Sequence, residues 1–306
     1  MKRVEIPIQG LGRLEFLYSR LEKLNNNARD YCLVIFAGDN GVSCENTSIY
    51  EPMSSYGIVK RHLEGNAPTA ILLNRLGKKE YIVDVGLARQ MENSAIIDHN
   101  IRRGSANFLD EDALEKWEVK KAIAAGQRIW DEIDYSRFDI IGLGEIGVAN
   151  TLCAAALTAV MTANAPAVMA GKGSGDDKVI DKKADIISRA LEFRYPEADN
   201  LLDLMARFGG LEIAALSGFI LEAAKKQKPI VLDGFVTAVA ALLASRIDSS
   251  VNTYLIAPSL SDERGHRTVL DILGLEPVFD LNINYGEGLA AAIGLFMAEI
   301  TAKFHD

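Results

Sequence analysis

The sequence predicts an α/β fold, a three-layer parallel sheet with helices on both faces. Three observations carry this reading. Short apolar runs alternate with helical segments along the 306 residues. Each run is continuously apolar rather than alternating, as in strands covered on both faces. Polar or glycine-rich motifs follow the runs at Asp39, Asp84, Glu145, Asp233 and Glu287. That places them at the C-terminal edge of the sheet, where open α/β sheets bind ligands.

Gly10–Leu24 has helical apolar spacing and is closed by Asn25-Asn26-Asn27. Tyr31–Phe36 is the first buried strand and stops at Ala37-Gly38-Asp39-Asn40-Gly41. Ser54–Glu64 and Thr69–Leu76 are helical, and Glu80–Val85 is the second strand. Ala95–Ile101 fits a short strand or a loop equally. Asp110-Glu111-Asp112 is expected to start a long helix to about Ile133, since acids suit a helix N-terminus. A strand at Asp139–Gly142 then enters the turn Gly142-Leu143-Gly144-Glu145-Ile146-Gly147, which opens an Ala-rich helix from Asn150. A second glycine cluster, Gly171–Gly175, precedes an amphipathic helix to about Phe193. Helices follow at Leu201–Phe208 and Leu211–Lys226, a strand at Pro229–Leu232 and a helix to Arg246. Strands at Thr253–Ala257 and Val278–Leu281 flank a helix at Arg267–Leu273, and a last helix follows Gly286-Glu287-Gly288.

Composition excludes several classes. The net charge is −9 and no Lys/Arg run is long enough to track a phosphate backbone, so nucleic acid is not an expected partner. Cys32, Cys44 and Cys153 are scattered without metal or disulfide spacing. His62, His99, His266 and His305 show no metal-ligand spacing either. His266 reads as a helix-start or packing histidine and the others as surface residues. No apolar stretch reaches the ~20 residues of a membrane span, and Met1–Ile6 carries no apolar signal run. A cytoplasmic protein is expected, with no metal and no cofactor.

Gly142-x-Gly144-x-x-Gly147 matches the dinucleotide fingerprint literally, yet Ile146 to Gly175 contains no Asp or Glu to bind a ribose. Glu145 sits in this turn and Glu287 in another of Gly-x-Gly type. Each is either a carboxylate that exchanges a proton with a ligand or a solvated turn acid. Gly171-Lys172-Gly173-Ser174-Gly175 can form an anion-binding nest backed by Lys172 or Lys183, or a flexible connection.

Taken together these motifs resemble one family, the nicotinate-nucleotide–dimethylbenzimidazole phosphoribosyltransferases, from about Leu33 to Ala298 and in the family's order. Phe36–Val42 looks like its Ala-Ala-Asp-His-Gly-Val, and Gly104–Phe108 like its Gly-Thr-Ala-Asn. Gly144–Thr151 is similar to its Gly-Glu-Met-Gly-Ile-Gly-Asn-Thr, and Gly171–Gly175 to its Gly-x-Gly-Thr-Gly. Gly209–Leu216, Leu232–Phe235, Gly265–Arg267 and Gly286–Gly288 complete the set.

The resemblance implies transfer of phosphoribose from nicotinate mononucleotide to an aromatic base, in cobalamin or cobamide synthesis. It implies Glu287 and Glu145 as catalytic residues, with Glu287 the base that takes the acceptor's N–H proton. Gly144, Gly147, Asn150, Gly171, Gly173, Ser174, Gly175 and Lys183 would bind the nucleotide and its phosphate. Asp39, Ser48, Gly57 and Ser261 would face the base or substrates. Gly57 stands where the family has Gln, so dimethylbenzimidazole, another benzimidazole, a purine or a phenol are all open as acceptors. The implied fold adds a small helical part from the chain ends (1–30 and 289–306) to an α/β catalytic domain (31–288). The implied assembly is a homodimer. The alternative is a non-catalytic chain that works as a heteromer with a paralogue.

Overall fold

Alternate residues of the first strand point into two separate apolar cores, one on each face of a single sheet. The computed structural model describes residues 10–194 and 197–305. Helix α1 (Arg13–Lys23) leads into β1 (Tyr31–Gly38), then α2 (Ser55–Leu63), α3 (Pro68–Leu76), β2 (Lys79–Gly86) and β3 (Ile96–Asp98). Next come α4 (Lys116–Glu132), β4 (Ile140–Ile146), α5 (Asn150–Thr162), α6 (Pro166–Met169) and α7 (Val179–Phe193). They are followed by α8 (Leu201–Phe208), α9 (Leu211–Lys225), β5 (Ile230–Val231) and α10 (Phe235–Ile247). The last elements are β6 (Leu255–Ile256), α11 (Arg264–Leu273) and α12 (Leu289–Ala302).

The sheet has the order β3-β2-β1-β4-β5-β6, with every pairing parallel. Cys32, Val34 and Phe36 of β1 face a core shared with Val119 of α4, Leu157 of α5, Leu216 of α9 and Val239 of α10. Leu33, Ile35 and Ala37 face the other core, with Leu17 of α1, Ile58 of α2, Leu73 of α3 and Leu295 of α12. All eight residues of β1 are buried, which is why the run carries no polar residue. Each such Leu or Ile contributes about 1.5–3 kcal/mol by leaving water.

Several expected boundaries change: α1 begins at Arg13, α11 at Arg264, and β6 at Leu255, because Ser249–Tyr254 forms a 3-10 helix. The 110–112 acids do not begin α4. Ala113 and Leu114 donate backbone bonds to the Arg207 and Ala206 carbonyls at the end of α8 (3.2 and 2.8 Å). The helix starts later, at a capping box of Glu115 and Glu118. β4 does not stop at Gly142, because it pairs with β1 as far as Ala37↔Ile146; Glu145 is therefore a strand residue, not a turn residue. Val278–Leu281 is not a strand. Only Ser259↔Phe279 forms a bridge, and Asp280 beyond it turns outward to solvent. The ambiguous 95–101 segment holds the three-residue β3.

The two chain ends meet, with α1 packed on α12 in the second core. Of the expected helical part, residues 1–9 and 306 lie outside the described residues, as does the Met1–Ile6 start. No helix among the described residues is long and apolar enough to cross a membrane.

Candidate active site

The strand order reverses between β1 and β4, and a cleft opens at the C-terminal ends of the strands beside that switch. It is lined from β4 and the start of α5 (Glu145 to Thr151), from α7 by Lys183, and by Asp233–Val236 after β5. Ser259, Ser261 and the 283–287 segment close the far side.

Glycine determines how the two halves meet. A Cβ on Gly144 would lie 2.8 Å from the Gly288 Cα and 2.9 Å from its nitrogen. Only two glycines therefore let the turn before α12 rest on β4. This accounts for part of the fingerprint-like spacing without any dinucleotide. Asp233 ties the same turn down by accepting bonds from the amides of Gly288 (3.0 Å), Ala290 (2.8 Å) and Ala291 (3.2 Å). An acid on a helix N-terminus is favourable. Burial nonetheless pushes Asp233 up to about 6, against those amide bonds and with the help of the Glu287 charge.

Glu287 sits between Gly286 and Gly288 in a run of three left-handed residues, at φ 73°, 55° and 78°. A non-glycine residue held there stores strain on the order of 1–2 kcal/mol. Its carbonyl accepts from Thr69 Oγ1 (2.9 Å). Its carboxylate is bounded by donors: Tyr285 Oη at 2.8 Å and His62 Nε2 at 3.0 Å, both on Oε2, with Arg61 at 3.5 Å from Oε1. His62 Nδ1 in turn meets Glu80 Oε2 at 3.0 Å. Burial works against a charged His62, but the hydrogen bonds and charges of Glu287 and Glu80 outweigh it and raise His62 to about 9. His62 is buried, which corrects its reading as a surface histidine.

Glu145 has the opposite surroundings. Removal from water raises its carboxyl well above the usual range, and Asp233, Glu212 and Glu287 add to this, opposed by an amide bond from Asn150. One cleft thus holds an acid disposed to stay protonated and a second acid ringed by cationic and neutral donors.

At the other end, Gly173 is left-handed, and a Cβ there would lie 2.6 Å from Lys183 Nζ and 2.7 Å from Thr151 Oγ1. The backbone can approach the lysine only because the side chain is missing. Lys183 is 2% exposed and donates to Thr151 Oγ1 (3.3 Å). Burial lowers its pKa, partly offset by Glu263. Glu263 accepts from the Gly173 amide at 2.6 Å, and Ser174 Oγ lies 2.8 Å from Ser48 Oγ. A buried ammonium beneath the N-terminus of a 13-residue helix suits an anion. Ser261 is fixed by His266, whose Nδ1 accepts from its amide (3.1 Å) and faces its hydroxyl (2.9 Å). Burial, then Arg267, lowers His266 to about 3, so it stays neutral.

Among the expected site residues, Glu287, Glu145, Gly147, Asn150, Gly173, Ser174, Lys183, Ser48 and Ser261 line this cleft. Asp39, Gly57, Gly144, Gly171 and Gly175 lie outside its lining. Asp39 is occupied elsewhere, accepting the Ser55 (3.0 Å) and Ala88 (2.9 Å) amides. Gly57 is on α2 with open space where a side chain would project, one turn before Arg61. The sequence reading missed His62, Arg61, Glu80, Tyr285 and Glu263. Tyr285 adjoins the Gly-Glu-Gly turn, and Arg61 follows Gly57 by four residues on one helix face; these were the available signals.

The family model DBI_PRT, described as phosphoribosyltransferase, matches residues 1–306. A nicotinate-nucleotide–dimethylbenzimidazole phosphoribosyltransferase of Chloroflexus aurantiacus is 33% identical over 98% of this chain and 87% of its own. One from Bradyrhizobium sp. is 34% identical, covering 98% of this chain and 87% of its own. The crystal structure of CobT from Thermus thermophilus superposes with a TM-score of 0.91 at 30% identity, covering 98% of this chain and 92% of that one.

Proposed function

This chain belongs to the nicotinate-nucleotide–dimethylbenzimidazole phosphoribosyltransferase family, and we propose that it moves phosphoribose from nicotinate mononucleotide to an aromatic base. The products are an α-ribosyl nucleotide and nicotinate, within cobalamin or cobamide synthesis. One observation carries the assignment of roles: the strained, donor-ringed Glu287 and the buried Lys183 line the same cleft. In this reading Lys183, Gly173, Ser174 and the start of α5 hold the phosphate. Gly147, Asn150 and Glu145 line the nucleotide, and Ser48 and Ser261 face the substrates. The acceptor lies against Glu287, beside Tyr50, Ile58, Ile283 and Tyr285.

Glu287 takes the acceptor's N–H or O–H proton. The freed lone pair attacks C1′, the bond from C1′ to the pyridinium nitrogen breaks, and its electron pair leaves with nicotinate. A weak nucleophile is made competent by the base, while the cationic ring needs no further activation as leaving group. The same reading has the chain working in the cytoplasm as a homodimer, with α1 and α12 as its small helical part.

The test is a product assay with nicotinate mononucleotide and dimethylbenzimidazole, benzimidazole, adenine, phenol or p-cresol. An α-ribosyl product with at least one acceptor is expected. Glu287→Gln should lower kcat by roughly 10²–10⁴-fold, the usual span for removing a general base. No product with any acceptor would overturn the reading.

A further inference from the structure

The cleft's base is supported from behind by a residue outside the expected set. His62 bridges two carboxylates, with Nε2 3.0 Å from Glu287 Oε2 and Nδ1 3.0 Å from Glu80 Oε2, and its own side chain has no exposure. A histidine that bonds a carboxylate at both nitrogens presents an N–H to each, which is the doubly protonated, charged form. Every neighbour agrees with that form except Arg61, which pairs with the other oxygen of Glu287. Glu80 is 16% exposed at its side chain and so joins the buried pair to solvent. Helix α2, strand β2 and the turn before α12 meet at this one imidazole, with Glu287 lying 225 positions beyond His62.

We propose that His62, as an imidazolium clamped between Glu80 and Glu287, is the positioning residue that orients the Glu287 carboxylate toward the acceptor's proton. This rests on Glu287 acting as the base. The oxygen fixed by His62 and Tyr285 cannot rotate, so the second oxygen is left to serve the acceptor, beside Arg61. When His62 loses its proton at high pH, one of its two bonds to carboxylates is lost and the orientation with it. Turnover therefore carries an alkaline limb that belongs to His62. The other groups around the carboxylate differ from it. Tyr285 is held above its ordinary value by burial and by Glu287, and Arg61 is raised by Tyr50 and Glu287. Asp233, at about 6, loses its proton before that limb. Glu145 is raised by burial, and it has no bond to Glu80, so a change at Glu80 leaves its titration in place. The value of about 9 for His62 locates the limb between Asp233 and Tyr285.

The experiment measures kcat against pH from 6 to 10, with two acceptors of different basicity, for the wild type, His62→Gln, Glu80→Gln and Glu287→Gln. The wild type should show the same alkaline limb with both acceptors. Glu80→Gln should move that limb to lower pH, because one of the two carboxylates favouring the charged imidazole is gone. His62→Gln should abolish the limb and lower kcat roughly 10- to 100-fold, less than loss of the base itself, with KM for the mononucleotide little changed. If His62→Gln does not fold, the Glu80→Gln profile decides alone. An unmoved limb in Glu80→Gln, or a wild-type profile retained in His62→Gln, overturns the proposal while Glu287→Gln remains inactive. Full activity in Glu287→Gln would instead remove the base assignment beneath it.

Discussion

At the scale of the residue, stability and pH are linked through buried groups whose protonation differs between folded and unfolded chains. His62 has a folded value of about 9 against an ordinary 6.5. A histidine raised in this way contributes stability that is fully present below about pH 6.5 and is lost as the pH climbs through 9. The size is on the order of 3 kcal/mol. His266 works in the opposite sense. Lowered to about 3, it stabilises the fold above pH 6.5 and withdraws that stability as the solution is acidified. The melting temperatures of wild type and His62→Gln should therefore lie furthest apart near pH 6 and converge toward pH 10. A gap that stays constant with pH would mean that His62 is not charged in the folded protein. Neither shift is visible from the sequence. His62 and Glu287 are 225 positions apart, and a helical histidine with neighbours Arg61 and Lys60 looks like part of a solvated face until the fold brings β2 and the last turn against it.

At the scale of the element, the place of the G-x-G-x-x-G stretch in the fold is easier to read than the use of its glycines. Its position after a buried strand and before an Ala-rich helix is legible, because the period of hydrophobicity changes there from continuous to helical. The use of its glycines is not, since each is defined by a partner distant in sequence: Gly142 by Leu295 and Leu33, Gly144 by Gly288, Gly147 by the Gly38 carbonyl. Gly144→Ala places a methyl group against backbone that cannot move without shifting the Glu287 turn. The expected cost is about 1–3 kcal/mol of stability, as for overpacking elsewhere, together with a fall in kcat as the carboxylate is displaced. Calorimetry and the product assay on one preparation would check both. Unchanged stability would mean that the turn before α12 yields freely and that its seat on β4 does not position the base. The same limit explains the boundary at Asp110-Glu111-Asp112. Acid content suggests a helix start, but backbone pairing of Ala113 and Leu114 to the end of α8 keeps the chain out of helix until Glu115.

At the scale of the whole molecule, the fold was legible because a doubly covered parallel sheet leaves a coarse mark, in which each central strand must be apolar on both sides. Edge detail left no such mark, so a buried Val278-Phe279 pair imitates a strand while making a single bridge. The cleft is a property of the assembled sheet: Lys183 comes from α7, Asn150 from the start of α5, Asp233 from the end of β5 and Glu287 from the chain's last turn. A ligand that touches all four connects segments that would otherwise open independently, so its binding is expected to stabilise the whole chain rather than one loop. Nicotinate mononucleotide at 100 times its Kd should add about 2.7 kcal/mol, a rise in Tm of a few degrees for a chain of this size. Lys183→Met keeps the buried stem but removes the ammonium that the phosphate would meet. It should lose most of that ligand-induced rise and raise KM for the mononucleotide, with a smaller effect on kcat. Were Lys183→Met to retain the full rise, the phosphate would have to be held by the amides of the α5 start and the Gly173-Ser174 turn. The buried lysine would then serve only to balance Glu263.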